Sequence, residues 1–279
     1  MRGNAALLGN SGAELVKLVK RPANWLLLAV AAILGLLFTY VIPYAGYTSG
    51  TGGPTADRGL AALLPAQLVG NSIAGLPVFL GAIMVILGVL AVGGEYGWDT
   101  WKTVLTQGPS RLSVFGGKLV ALAVAALAVV ATLFVLGAAA SALIAGVEGQ
   151  PMDWPPVADL ARGVGAGWLM AAMWTAFGVL LAVLLRGVAL AIGLGLVWLL
   201  AVQNLLALLA APLLDWVAQL QKGLPGPNTG SLAAALGSGA DTPGVEAVVG
   251  GGTAALVVAA YLVAFVVVSG AVLRRRDIL

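Results

Sequence analysis

Residues Gly94 to Lys118, GEYGWDTWKTVLTQGPSRLSVFGGK, crowd acidic, basic, aromatic and turn-forming residues between two long apolar runs. Because the flanking runs are long enough to cross a hydrocarbon layer, the stretch reads as a structured loop at a membrane surface. Asp99 is placed to cap a short helix, Thr100 to Gln107, whose Trp101, Val104 and Leu105 share an apolar face. Gly108 and Pro109 end that helix and Ser110 starts the next. Such a helix fits a groove on a partner protein; equally, Trp101 and Leu105 could rest among lipid headgroups beside Arg111 and Lys118.

The surrounding composition decides the class. Of 279 residues, 61% are hydrophobic and 9% charged, with a mean hydropathy of +1.03. That is far from the roughly 25% charged residues of a soluble domain and describes a polytopic membrane protein rather than a reader of nucleic acid. Cysteine and histidine are both missing, which removes thiol and imidazole nucleophiles, disulfides and most transition-metal sites.

N-terminal to the central stretch, Ser11 to Arg21 reads as an amphipathic helix lying in the interface. Ser11 and Glu14 make a capping-box pattern, and Glu14, Lys17 and Arg21 share the face opposite Leu15, Val16, Leu18 and Val19. Lys20 adds a further charge, Pro22 changes direction, and Trp25 marks the membrane boundary. This segment predicts an uncleaved N-terminus. Span one is expected over about 24–44, with Tyr40, Tyr44 and Tyr47 as an aromatic belt. Residues 60–76, interrupted by Pro65, Asn71 and Pro77, read as a short external helix leading into span two, about 73–93.

C-terminal to the stretch, spans are expected over about 113–145, 163–185, 188–211 and 250–273. The acidic, proline-bearing segment 146–160 reads as an external loop, and Arg186-Gly187 as a very tight return. Between the last two spans, Leu213 to Gln221 and Ser231 to Leu236 read as short helices around a turn, LPGPNTG, at Leu224 to Gly230. The expectation is a single all-α integral membrane domain, 1–279, with six transmembrane helices. Eleven of the 14 basic residues fall on the side of the two termini, against Arg58, Arg162 and Lys222, so the positive-inside bias makes the termini and the central loop cytoplasmic.

The spans carry no ionisable group away from their ends, which argues against an intramembrane enzyme and against ion-coupled transport. Gln203 and Asn204 are the most polar intramembrane pair, suited to interhelical hydrogen bonding or to lining a substrate path. Gly117-Lys118 is followed by Leu119 and lacks the glycine spacing of a phosphate-binding loop. Gly163 with Gly167, and Gly93 with Gly97, have small-xxx-small spacing and read as helix packing.

Glu95-Tyr96, Thr100, Leu105, Pro109, Ser110-Arg111 and Lys118 before a long third span together resemble the ABC-2 type transporter permease family of bacteria and archaea. The Glu14 to Pro22 entry helix, Leu64-Pro65, the 73–79 lead into span two, the LPGPN turn and the closing Arg-Arg-Arg-Asp-Ile support the likeness. The resemblance implies an exporter subunit in a prokaryotic cytoplasmic membrane, moving drugs, peptides or lipids by alternating access. The loop between spans two and three would be a coupling helix that docks on a separate ATPase. Its docking residues would be Glu95, Tyr96, Trp98, Asp99 and Thr100, continuing through Trp101, Thr103, Val104, Leu105 and Arg111. Asp99 departs from a glycine common before the threonine in relatives. Glu14, Lys17, Lys20 and Arg21 would belong to an interfacial elbow helix, and the segment between spans five and six would form re-entrant helices.

The resemblance also implies two ATPase subunits, which hold the ATP and Mg, and a second permease chain, identical or homologous; no cofactor is expected in this chain. Two other readings stay open. A lipid-acting membrane enzyme would have to draw on the external acids Glu148, Asp153, Asp159, Asp215 and Asp241, and a signalling or scaffold subunit would share the fold without moving anything.

Overall fold

The structure is a computed structural model that describes residues 2–50, 58–97, 111–207 and 213–275. Its chain order gives ten α-helices that organise the described residues. They are α1 (Arg2–Lys20), α2 (Pro22–Ser49), α3 (Leu68–Ile73), α4 (Phe79–Gly97) and α5 (Arg111–Val147). After these come α6 (Val157–Leu185), α7 (Ala189–Leu205), α8 (Asp215–Gln221), α9 (Pro225–Ala235) and α10 (Gly251–Arg275). Among the described residues there is no strand. In a lipid environment this follows from the need of each backbone amide to find its partner within its own segment.

Four helices, α2, α5, α6 and α10, are long and apolar enough to cross a membrane, and α4 and α7 supply shorter apolar helices. The chain is thus an all-α, multi-pass membrane protein. α6 is the central helix, packed against α4 and α10, with α5 and α7 beside it. Trp174, Met170 and Met173 on α6 are fully buried, whereas Leu26 and Ile33 on α2, Leu143 on α5 and Val263 on α10 are exposed as a lipid-facing surface would be.

Several elements differ from the sequence expectation. The Ser11–Glu14 capping box is unused, because α1 starts at Arg2 and both residues sit inside it. The helix of span two begins at Phe79, after a turn in which the Leu80 amide donates to the Gly75 carbonyl. Ahead of it lie 3-10 turns at Leu60–Leu63 and Pro65–Gln67 and the short α3. α6 begins at Val157, where Pro156 marks the end of an extended approach. Residues 224–230 do not form a turn: Leu224 stands before a helix that has Pro225 in its first turn, where a missing amide hydrogen costs nothing. The Asn228 side chain then donates to the Leu224 and Lys222 carbonyls. Tyr40 is buried rather than part of a belt, inside a π-helical stretch, Leu37–Val41, that interrupts α2. The return at Arg186 is as tight as expected, with Arg186 itself left-handed at φ 53°.

Candidate functional site

The end of the bundle where α4 leaves and α5 returns is built around buried charge. Glu14 of α1 and Glu95 of α4 are each 5% exposed, and Lys118 of α5 is 2% exposed. Lys118 Nζ donates to Glu14 Oε2 at 2.6 Å and to Glu95 Oε1 at 2.8 Å. Lys17 Nζ donates to Glu14 Oε1 at 2.6 Å and lies 3.5 Å from Glu95 Oε1. Among the described residues two carboxylates and two ammoniums therefore alternate, the arrangement that makes burial of ions tolerable. Burial alone would raise the Glu14 carboxyl, but the Lys118 and Lys17 ammoniums together hold it below its ordinary value. Burial likewise works against the Lys17 ammonium, and Glu14 and Glu95 override it and raise its pKa.

Local chemistry brings these groups together. α1 lies along α5, and Gly117 makes the approach possible: a Cβ there would stand 2.8 Å from the Asn10 Cβ. Asn10 Nδ2 donates to Ser113 Oγ at 2.9 Å beside it. At the other end of α1, Asn24 Nδ2 donates to the Leu18 carbonyl at 2.8 Å and Trp25 Nε1 to the Val19 carbonyl at 2.7 Å. These side chains satisfy the carbonyls a helix end leaves unpaired, so the α1–α2 bend is fixed. Arg21 Nη1 donates to the Leu90 carbonyl of α4 at 3.2 Å, tying the bend to the helix that leads into the loop.

The polar face of α1 is accordingly turned inward, and Val16 and Val19 are the exposed side. Of the four residues assigned to an elbow, Glu14 and Lys17 join the ion set, Arg21 binds α4, and Lys20 is exposed. Glu95 points into the protein, so it anchors the loop's stem. The side chains of Tyr96 and Arg111, together with Trp98, Asp99, Thr100, Trp101, Thr103, Val104 and Leu105, lie outside the described residues. The expected helix at 100–107 lies there too.

In sequence alone Lys118 reads as a loop charge and Gly117 as part of a glycine pattern that fails as a phosphate-binding loop. A signal was present: a lysine followed by 29 residues of one helix, to Val147, is costly unless paired, and Glu14 and Glu95 are the acids at the same face.

Gln203 is buried against α9, where Gly226 leaves room for its amide; a Cβ on Gly226 would overlap Gln203 Oε1. Asn204 donates to the Leu200 carbonyl of its own helix at 2.8 Å and is partly exposed. The two amides do not converge. The external acids also separate: Glu148 accepts from the Tyr44 hydroxyl at 2.6 Å, Asp159 pairs with Arg162 at 3.0 Å, and Asp241 pairs with Arg58. Among the described residues no group of three or more such side chains could hold a metal ion.

A family model described as "ABC-2 family transporter protein" matches residues 12–202, which include the whole ion set and the loop it encloses. The α8–α10 region and the closing arginines lie beyond the match. A search of curated proteins gives no match.

Proposed function

The chain belongs to the ABC-2 transporter family and is a membrane permease of an ABC transporter; from that premise we propose that it forms half of an exporter's membrane pathway, driven by ATPase subunits docked on residues 98–110. In this reading α4 and α7 complete six spans with the four longer helices. The loop and both termini are cytoplasmic, in keeping with the basic-residue bias. Two ATPase subunits carrying ATP and Mg act on two permease chains in a prokaryotic cytoplasmic membrane, and the permease halves alternate their exposure. Spans without ionisable groups in their middle suit an amphipathic or hydrophobic cargo.

The observation that carries the mechanism is the buried ion set at the loop's stem. Glu95 precedes residues 98–110 and Lys118 follows them, and both are clamped to α1 through Glu14 and Lys17. A push on the loop would therefore reach α1 and, through Arg21 and the fixed bend, α2 as well as α4 and α5. Tyr96, Trp98 to Leu105 and Arg111 would meet the ATPase, and Glu95 would hold their base.

Co-expression with the ABC ATPase subunits of the source genome tests the reading. A stable complex is expected, lost in Trp101→Asp and Val104→Asp while the permease remains folded. A folded permease that forms no such complex, or variants that retain it, would overturn the docking assignment.

A further inference from the structure

At the end of the bundle opposite the ion set, α2, α3, α4 and α5 enclose a cavity of about 210 Å³, far larger than the roughly 30 Å³ share of one water. Most of its wall is apolar, with Phe38 and Phe79 stacked at 6.4 Å between ring centres and Leu133 and Leu136 across from them. Among the polar side chains that break that wall, alongside Thr39, Asn71 and Thr242, two hydroxyls stand out. Tyr40 and Ser72 are 4% and 6% exposed; Ser72 Oγ completes no hydrogen bond with the protein, and Tyr40 Oη meets only an approach from the Asn71 side chain that falls short of full hydrogen-bond geometry. Leaving such groups unpaired costs about 1–3 kcal/mol each, so two at one place point to a ligand.

Both hydroxyls face the same spot. A Cβ on Gly137 would sit 3.1 Å from Tyr40 Oη and 3.2 Å from Ser72 Oγ, so the bare glycine opens a niche between them. Tyr40 and Phe38 lie in the π-helical stretch Leu37–Val41, a distortion that often marks functional positions in helices. Arg58 and Asp241 neutralise each other at the rim, and the other lining groups are uncharged.

We propose that this cavity binds an uncharged carbonyl-bearing amphiphile, its ester or amide oxygen between Tyr40 and Ser72 and its hydrocarbon along Phe38 and Phe79. A carbonyl oxygen has two lone pairs and matches two converging hydroxyl donors; a charged head would lack a counterion there. Membrane lipid and transported cargo can both present this chemistry.

The test uses the full-length permease alone in nanodiscs, so that its failure leaves the ATPase-driven reading untouched. Three photoactivatable uncharged probes with the same acyl-length chain are compared: a diacylglycerol ester, a fatty amide and an ether lacking the carbonyl. Cross-links to Phe38, Phe79 or Leu136 are expected for ester or amide in preference to ether. Tyr40→Phe and Ser72→Ala should each lower that labelling about fivefold, as loss of one hydrogen bond of about 1 kcal/mol does. Gly137→Val should reduce it to background, with melting curves confirming that each variant is folded. Preference for the ester assigns the site to a lipid, and preference for the amide assigns it to cargo-like molecules. Equal labelling by the ether, or labelling unchanged in folded Gly137→Val, would mean annular contact and overturn the proposal. So would an absence of labelling by every probe.

Discussion

Lys118 is the residue on which most depends, because it is nearly inaccessible and its ammonium holds carboxylates from two other helices. Replacing it with Met would take from Glu14 and Glu95 their one fully buried cation among the described contacts, and removing one member of a buried ion set costs about 3–5 kcal/mol. Lys118→Met should therefore lower the melting temperature in detergent markedly. Adding Glu14→Gln and Glu95→Gln to it should restore much of the loss. The pH dependence has two edges. Glu14 has its folded pKa below the ordinary 4.5, so its contribution is present above that value and is lost as pH falls through the lower folded value. Lys17 has its folded pKa above 10.5, so its contribution is present below that value and is lost as pH rises through the higher folded value. Melting temperature should form a plateau between these edges, and substitution Glu14→Gln should remove the acid edge assigned to it. The Glu14–Lys17 pairing was legible as one-turn spacing. Its union with Lys118 was not, since that pair is 104 residues apart and nothing in local periodicity encodes such a contact.

At the scale of elements, the tightest crossing is that of α4 on α6. A Cβ on Gly88 would overlap the Thr175 carbonyl oxygen, and one on Gly178 would overlap the Val85 carbonyl oxygen. Each helix thus presses its backbone into the other's glycine, the close approach on which helix association in lipid depends. Gly88→Leu and Gly178→Leu should each abolish a monodisperse peak in size-exclusion chromatography. Gly165→Ala and Gly193→Ala, where a Cβ meets nothing within 4 Å, should leave the peak intact and gain up to about 1 kcal/mol from helix propensity. The long apolar runs made the major helices visible, because membrane length and lack of charge are local properties. The crossing glycines were hidden among 39 such residues. Gly163 and Gly167, which have the familiar spacing, instead meet Val69, Phe134, Val130 and Ile73 side chains. The LPGPNTG segment misled for a related reason: its prolines and glycines suit a turn, yet Pro225 also suits the first turn of α9.

For the whole molecule, the ion set and the cavity mark opposite ends of one bundle, and α2 runs between them, from the bend at Arg21 to the wall at Tyr40. Motion at the loop's stem thus has a continuous helix along which to reach the far end. The chain has no native cysteine, so Asn10→Cys with Ser113→Cys offers a lock at the 2.9 Å contact between α1 and α5. Because α1 and α5 are clamped together and carry the push as one unit, oxidation of this pair in the assembled transporter should leave transport undiminished, as measured by cargo movement into vesicles. Transport lost on oxidation and restored by reductant would show that α1 and α5 must separate during the cycle and would overturn the clamp.

The set of charges also imposes an order on how the protein is made. Glu14 leaves the ribosome first, Glu95 follows, and Lys118 appears only as the next long helix begins. Until then the nascent chain carries two acids at one face of the bilayer whose buried partner has yet to be synthesised. Lys118 is therefore the last member of the set to be made, and a chain ending in residues 98–110 would hold Glu14 and Glu95 with Lys17 but without the buried cation that joins them.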